Sequence, residues 1–199
     1  MKNYNSKSSF SVKLITIGIV IVMGIVVFSI LTLNEKYGII SGIVISLIIL
    51  STLIYFYAKS LKKILIGERN LTLEKNIGKI EIPFSEIIKI EKLEFSNLSM
   101  TYGSNGVFGY NGNTMDDSIS MVNDRKNMVR IITNEKKYTI SSDRPKELIN
   151  DIKNVLQHRI KLIAGFSQFT KVLADFLSVF YLLTLVLKTR KQIRHNQIR

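Results

Sequence analysis

The chain has 199 residues and carries 28 Lys and Arg against 15 Asp and Glu, a formal net charge of +13. It has no Cys, which excludes disulfide frameworks, cysteine zinc sites and thiol nucleophiles, and its two histidines lie too far apart for a metal or triad site. Because mean hydropathy is positive although 22% of the residues are charged, the apolar residues must be concentrated in part of the chain.

Two long uncharged runs near the amino end predict a membrane hairpin. No charged residue occurs in 14–33 or in 38–58, and each run reaches the length of about 20 apolar residues that crosses a bilayer. A cleaved signal peptide has a shorter apolar region, and here a second run begins soon after Asn34-Glu35-Lys36. We therefore interpret 14–58 as two transmembrane helices, in preference to a signal peptide or a buried core helix.

The distribution of charge predicts an orientation. Residues 1–13 carry three Lys, Lys59, Lys62 and Lys63 follow the second run, and residues 64–156 carry 13 charges of each sign. Cationic flanks are retained in the cytoplasm, so we expect the amino terminus and everything after Lys59 to be cytoplasmic. The neutral middle region also lacks the excess of positive charge that is typical of nucleic-acid binders.

From Lys63 to Ile140 the sequence alternates with period two, which predicts half-buried strands. We place turns at 76–78 and 134–135, and Pro83 should end its strand because proline donates no ladder hydrogen bond. The predicted inward side chains are Leu71, Leu73, Ile80, Ile82, Phe84, Ile88, Ile90, Val129, Ile131, Tyr138 and Ile140.

One amphipathic helix should follow these strands. Ser142 or Asp143 can cap it, and Pro145 suits its first turn. Its apolar stripe comprises Leu148, Ile149, Ile152, Val155 and Leu156. The predicted fold class is thus α+β: a transmembrane helical hairpin, then about seven short strands in a small bent sheet or barrel closed by one carboxy-terminal helix.

Glycine recurs at every third position from Gly103 to Gly112. A phosphate-binding loop would need Gly-Lys-Ser/Thr or a strand-Gly-x-Gly-helix context, and neither is present. We interpret this segment as a loop pinned by aromatic side chains that pack back on the sheet, in preference to a ligand clamp. If it instead binds a partner, the candidate binding residues are Tyr102, Gly103, Gly106, Phe108, Gly109 and Tyr110.

Three segments resemble a bacterial pleckstrin-homology-like (PH-like) domain of the membrane-attached type. Leu71–Ile90 is similar to the start of that domain, Tyr102–Gly112 resembles its glycine-aromatic motif, and Tyr138–Pro145 resembles its last strand and the approach to its closing helix. The resemblance covers roughly 64–157. It implies a two-helix hairpin in the bacterial cell membrane followed by this fold, whereas a fold by itself does not imply a function.

The sequence therefore divides into four parts. These are a basic flank at 1–13, two transmembrane helices at 14–58, a cytoplasmic PH-like domain at 59–157, and a basic, apolar tail at 158–199. The uncharged run in the tail, Phe176–Leu187, is short for a span. We favour a helix lying in the membrane surface, with a third span or a non-native extension as the alternatives.

Catalytic patterns are weak in this chain. The predicted domain has no His, and the His-Glu-x-x-His and Gly-x-Ser-x-Gly patterns are absent. Asp116 and Asp117 are interpreted as a solvated loop pair, and Ser104 has no candidate base. We expect no enzymatic activity, no cofactor and no metal.

Two functions remain. The first is a membrane protein that presents its PH-like domain as a protein- or peptide-interaction module, through a sheet edge or the glycine-aromatic segment. The alternative is an accessory or regulatory subunit of a transport or channel assembly, whose helices pack at small residues such as Gly38 and Gly42. Expected partners are the lipid bilayer and another membrane or cytoplasmic protein. A homo-oligomer is compatible with the sequence, and nucleic acid is not expected.

Overall fold

A computed structural model describes residues 2–32, 36–95 and 98–159, together with 161 and 170. The chain divides into two units, Met1–Lys153 and Asn154–Arg199. Apart from 158, 159, 161 and 170, the tail at 158–199 lies outside the described residues. Its surface helix, the third span and the non-native extension therefore stay predictions.

The amino-terminal region contains two long helices. α1 spans Phe10–Leu31, with Ser9 accepting a hydrogen bond from the Val12 N–H at its start, and α2 spans Lys36–Lys59. Both are long and apolar enough to cross a membrane, over Phe10–Ile30 and Ile40–Lys59. Only 0% and 6% of these apolar stretches are buried, which differs from a helix in the core of a soluble domain.

Within the described residues, ten strands form two sheets with the orders β1-β2-β3-β4 and β5-β9-β10-β8-β7-β6. β8 and β10 pair in parallel, and every other pair is antiparallel. Residues 145–159 are helical (α3). The strands are β1 Lys2–Asn5, β2 Leu61–Ile66, β3 Asn70–Lys75, β4 Lys79–Pro83, β5 Ile87–Leu93, β6 Met100–Gly106, β7 Gly109–Thr114, β8 Ser118–Val122, β9 Met128–Thr133 and β10 Lys137–Ser141.

The predicted α+β class is confirmed, but the barrel is not closed. Pro83 ends β4 as expected, and a short 3-10 turn over Phe84–Glu86 leads into β5, which belongs to the other sheet. The Phe84 N–H donates to the Arg69 carbonyl at 3.1 Å, and this bond turns the chain out of the first sheet. Consequently β4 pairs only with β3 within the described residues.

Most of the side chains that were predicted to face inward are buried, and the prediction is wrong for one of them. Ile88 is 65% exposed, because a register shift between Ile87 and Lys89 breaks the alternation and puts Ile87 inside. Ile80 is half-buried. The buried members of the predicted set are Leu71, Leu73, Ile82, Phe84, Ile90, Val129, Ile131, Tyr138 and Ile140.

The basic amino-terminal flank contains a strand that sequence reasoning missed. β1 pairs antiparallel with β2, with Lys2 opposite Ile66 and Asn5 opposite Lys63. Because β2 follows both helices, this pairing requires both ends of the helical hairpin to lie on the same side of any membrane that the helices cross.

β1 is also held by one carboxylate of α3. The Lys2 ammonium donates to Asp151 Oδ1 at 2.7 Å, and the Tyr4 hydroxyl donates to the other carboxylate oxygen. These hydrogen bonds lower the pKa of Asp151. Burial and the same hydrogen bond raise the pKa of Tyr4 to about 12.

We expect acid to loosen β1. A carboxylate with a lowered folded pKa contributes stability that is present above its unfolded pKa and lost as the pH falls through the folded pKa. Amide-exchange protection of residues 2–5 in the full-length protein should therefore decrease over that acid range. Asp151→Asn should give low protection at every pH. Glu135→Gln, a change at an exposed acid of the turn between β9 and β10, should keep the wild-type profile. A wild-type profile for Asp151→Asn would contradict the assignment.

Candidate functional site

The glycine-aromatic segment is a β-hairpin and not the predicted loop. β6 and β7 pair antiparallel from Met100 opposite Thr114 to Gly106 opposite Gly109. Val107 and a left-handed Phe108, with φ of +54°, form the two-residue turn. Strands normally favour branched and aromatic residues, so the repeated glycines concealed both strands in the sequence.

Two of the glycines allow the hairpin backbones to approach closely. Gly103 and Gly112 face each other and have φ of +126° and +150°. A Cβ at Gly103 would lie 2.2 Å from the Asn111 carbonyl oxygen, and one at Gly112 would lie 2.1 Å from the Tyr102 carbonyl oxygen. Both positions therefore require glycine for the geometry of the hairpin.

The tip of the hairpin contacts both long helices. The Phe108 N–H donates to Thr16 Oγ1 of α1 at 2.9 Å, and the Thr16 hydroxyl donates to the Val12 carbonyl at 2.8 Å. The Phe108 ring meets the Tyr57 ring of α2 edge to face, with 5.5 Å between centroids. Phe108 thus packs against the helical hairpin, whereas the sequence predicted that it would pack back on the sheet.

The two tyrosines of the hairpin have different environments. Tyr110 is half-buried against an apolar cluster that includes Leu93 and Met128, and the Arg125 guanidinium lies 5.1 Å from its ring centroid. Tyr102 is 70% exposed, so it does not pin the segment to the sheet as predicted. Its exposure leaves it accessible to a partner.

A buried asparagine joins the domain to the chain on either side of the helices. Asn123, just after β8, is 2% exposed, and its Nδ2 donates to the Leu61 carbonyl at 2.6 Å and to the Ser6 carbonyl at 3.1 Å. Its Oδ1 accepts from Ser60 Oγ at 3.0 Å, and its backbone N–H donates to Ser141 Oγ at 2.8 Å. Every polar atom of this side chain therefore has a partner.

The backbone of the same residue contacts the start of α1. The Asn123 carbonyl accepts from the N–H of Ser9, the cap of α1, at 3.0 Å. Asn123 thus connects the segment before α1, the segment after α2 and the strands β8 and β10. Sequence reasoning missed this residue, because a lone asparagine after an apolar pair carries no motif.

The polar residues considered for catalysis have structural partners. Burial alone would raise the pKa of Asp116, but a hydrogen bond from Thr114 and the charge of Arg130 more than offset it, so the pKa is lowered. Asp116 forms an ion pair with Arg130, so it is not the solvated residue that was predicted. Ser104 donates to the Gly109 carbonyl at 3.1 Å. In the described part of the chain, no three acidic or His side chains converge as metal ligands.

Part of the chain matches a known protein family. A family model described as a bacterial PH domain matches residues 62–156. No curated protein and no solved structure matches the chain. The matched range runs from β2 into α3, whereas β1 and the two long helices lie outside it.

Proposed function

Because residues 62–156 belong to the bacterial PH domain family, we propose that this is an integral membrane protein that presents the domain in the cytoplasm as a protein- or peptide-interaction module. PH domains are generally non-catalytic interaction modules. The proposal includes the absence of an enzymatic activity and the cytoplasmic orientation inferred from the cationic flanks of the hairpin.

The observation that carries the proposal is the attachment of the domain to both ends of the helical hairpin. The pairing of β1 with β2 supports an even number of membrane crossings between them. The hydrogen bonds of Asn123 to Ser6 and Leu61 tie the domain to the chain before α1 and after α2. A domain attached at two points is held in one orientation, which suits a module that faces a partner at the membrane.

The position of the tip of the β6–β7 hairpin supports a location of the domain against the bilayer surface. Thr16 lies about 9 Å along α1 from Phe10, and the 22 residues of α1 extend about 33 Å, close to the thickness of the hydrocarbon core. The contact of Phe108 with Thr16 would thus place the tip of the β6–β7 hairpin in the first third of α1, toward the end of that helix that follows the basic flank. Tyr55 and Tyr57 lie near the carboxyl end of α2. Membrane proteins concentrate such aromatic residues at the membrane interface.

A partner is best accommodated at the outer edge of β6. In the described residues β6 pairs as a strand only with β7. α1 contacts β6 at its Gly106 end, and the part of the outer edge around Tyr102 remains available for an added strand. Tyr102 stands exposed on this strand, and tyrosine is enriched among residues that dominate binding energy. We therefore propose Tyr102 as the anchor for a bound peptide.

Reporter fusions test the orientation. A reporter that is active only in the cytoplasm should be active when fused after Lys75 and inactive when fused at Glu35. A second reporter that is active only outside the cytoplasm should give the reverse pattern. Activity of the cytoplasmic reporter at Glu35 but not after Lys75 would contradict the proposed orientation.

Site-specific crosslinking tests the interaction. A photoreactive residue at position 102 should crosslink a discrete partner in intact membranes, while one at Lys92, an exposed residue of β5, should not. Tyr102→Ala should abolish copurification of that partner with little change in Tm, because the side chain is exposed. Unchanged copurification would contradict the role of Tyr102. A partner that proves to be a transporter or channel subunit would favour the alternative function of an accessory subunit.

A further inference from the structure

A cleft of about 260 Å³ lies beside the last turns of α2 and is lined by residues of both sheets. Tyr55, Phe56 and Lys59 line it from α2, Lys75 from β3 and Tyr102 from β6. Its described lining contains two cations and no Asp or Glu. The cleft is therefore positively charged although the domain as a whole is neutral.

The two cations of the cleft are not neutralised by the protein. The Lys59 ammonium lies 5.2 Å from the centroid of the Tyr55 ring. Burial and the nearby charge of Lys59 lower the pKa of Lys75. Among the described residues neither ammonium group has a carboxylate partner. An anion between them would relieve both the repulsion and the loss of hydration.

The location of the cleft indicates the source of such an anion. Lys59 is the last residue of α2, so the cleft opens at the end of the second candidate span. Its volume is smaller than the about 300–1,000 Å³ of pockets that enclose a drug-sized ligand. A lipid headgroup would fit, with its acyl chains remaining in the bilayer along Tyr55 and Phe56.

We propose that this cleft binds the phosphate headgroup of an anionic phospholipid, with Lys59 and Lys75 contacting the phosphate. The placement beside the bilayer rests on the proposed membrane insertion of α2. Such a lipid would add a third attachment between the domain and the membrane, beside the hairpin tip and Asn123.

Lipid titration of the full-length protein tests the site. Protein purified in detergent with excess phosphatidylcholine is titrated with phosphatidylglycerol, and bound lipid is counted by native mass spectrometry. We expect one phosphatidylglycerol to be retained at saturation. Lys59→Gln/Lys75→Gln should weaken its binding at least about tenfold, and Lys59→Arg/Lys75→Arg should preserve it.

A matched control distinguishes lipid binding at the cleft from general attraction of the lipid by positive charge. Lys92→Gln/Lys146→Gln removes the same charge from exposed positions on β5 and α3 and should bind the lipid like the wild type. An equal loss in this control, or no loss in Lys59→Gln/Lys75→Gln, would overturn the proposal. Equal occupancy of the site by soluble glycerol phosphate would overturn the assignment to a lipid.

The failure of this proposal is distinguishable from failure of the proposed function. All variants are first assayed for membrane insertion by alkaline extraction and for folding by their melting temperature. If the variants insert, fold and bind phosphatidylglycerol like the wild type, only the proposed lipid site is contradicted. If the wild type fails to insert, the proposal that this is an integral membrane protein is contradicted.

Discussion

Asn123→Ala should lower the Tm of the full-length protein by about 10 °C. The substitution leaves the carbonyl oxygens of Ser6 and Leu61 and the hydroxyl of Ser60 without the partner that they now share. Each buried polar group that loses its hydrogen bond costs about 1–3 kcal/mol. In a chain of this size, 1 kcal/mol corresponds to about 2–4 °C in Tm.

The effect should be specific to the buried asparagine. Asn105→Ala makes the same change at an exposed position of β6 and should leave Tm within about 1–2 °C of the wild type. Melting followed by circular dichroism in detergent measures both variants. Equal Tm values for the two variants would show that Asn123 does not connect the domain to the hairpin ends.

Because Asn123 bonds to residues that precede Lys62, the matched family range 62–156 does not contain all the contacts that stabilise the domain. A fragment beginning at Lys62 would lack Ser6, Ser60 and Leu61, which are partners of this side chain, and would leave the edge of β2 that β1 occupies unpaired. Exposed strand edges promote aggregation. We therefore expect the matched family range to be stable chiefly together with the chain that precedes it.

Local periodicity made much of the fold predictable. The uncharged runs located both helices, and the alternation located the strands whose inward side chains are buried, such as Leu71, Leu73 and Val129. Periodicity fails where a strand has little apolar content or an irregular register. β1 has one buried apolar residue, Tyr4, and its partner strand β2 comes only after both helices in the sequence. Ile88 faces outward because of a bulge that no local signal marks.

The candidate site was predictable only in part. The glycine-aromatic spacing drew attention to Tyr102, Gly103 and Phe108, and the structure brings them together in one hairpin. Their role as binding residues stays a prediction. The sequence analysis identified Lys59 only as a flanking charge and did not relate it to Lys75. The two residues line one cleft only when α2 and β3 are folded, and sequence spacing does not encode that arrangement.

Ile82→Asp should prevent the β domain from folding, and Ile88→Asp should be tolerated. Ile82 is 2% exposed on β4 opposite Leu71, so an aspartate there would bury a charge for which the surrounding apolar side chains offer no partner. Such a change costs several kcal/mol, a large fraction of the stability of a domain. Ile88 points into solvent at the bulge of β5, where a charge remains hydrated.

The paired substitutions test the inward face directly, because the chemical change is identical and only the burial differs. Limited proteolysis of membranes containing each full-length variant should degrade the β domain of Ile82→Asp rapidly. Ile88→Asp should resist proteolysis like the wild type, since surface substitutions usually change stability by less than about 0.5 kcal/mol. Resistance of Ile82→Asp together with degradation of Ile88→Asp would mean that the strands present the opposite face to the core. Equal resistance of both variants would mean that β4 does not contribute to a buried core at all.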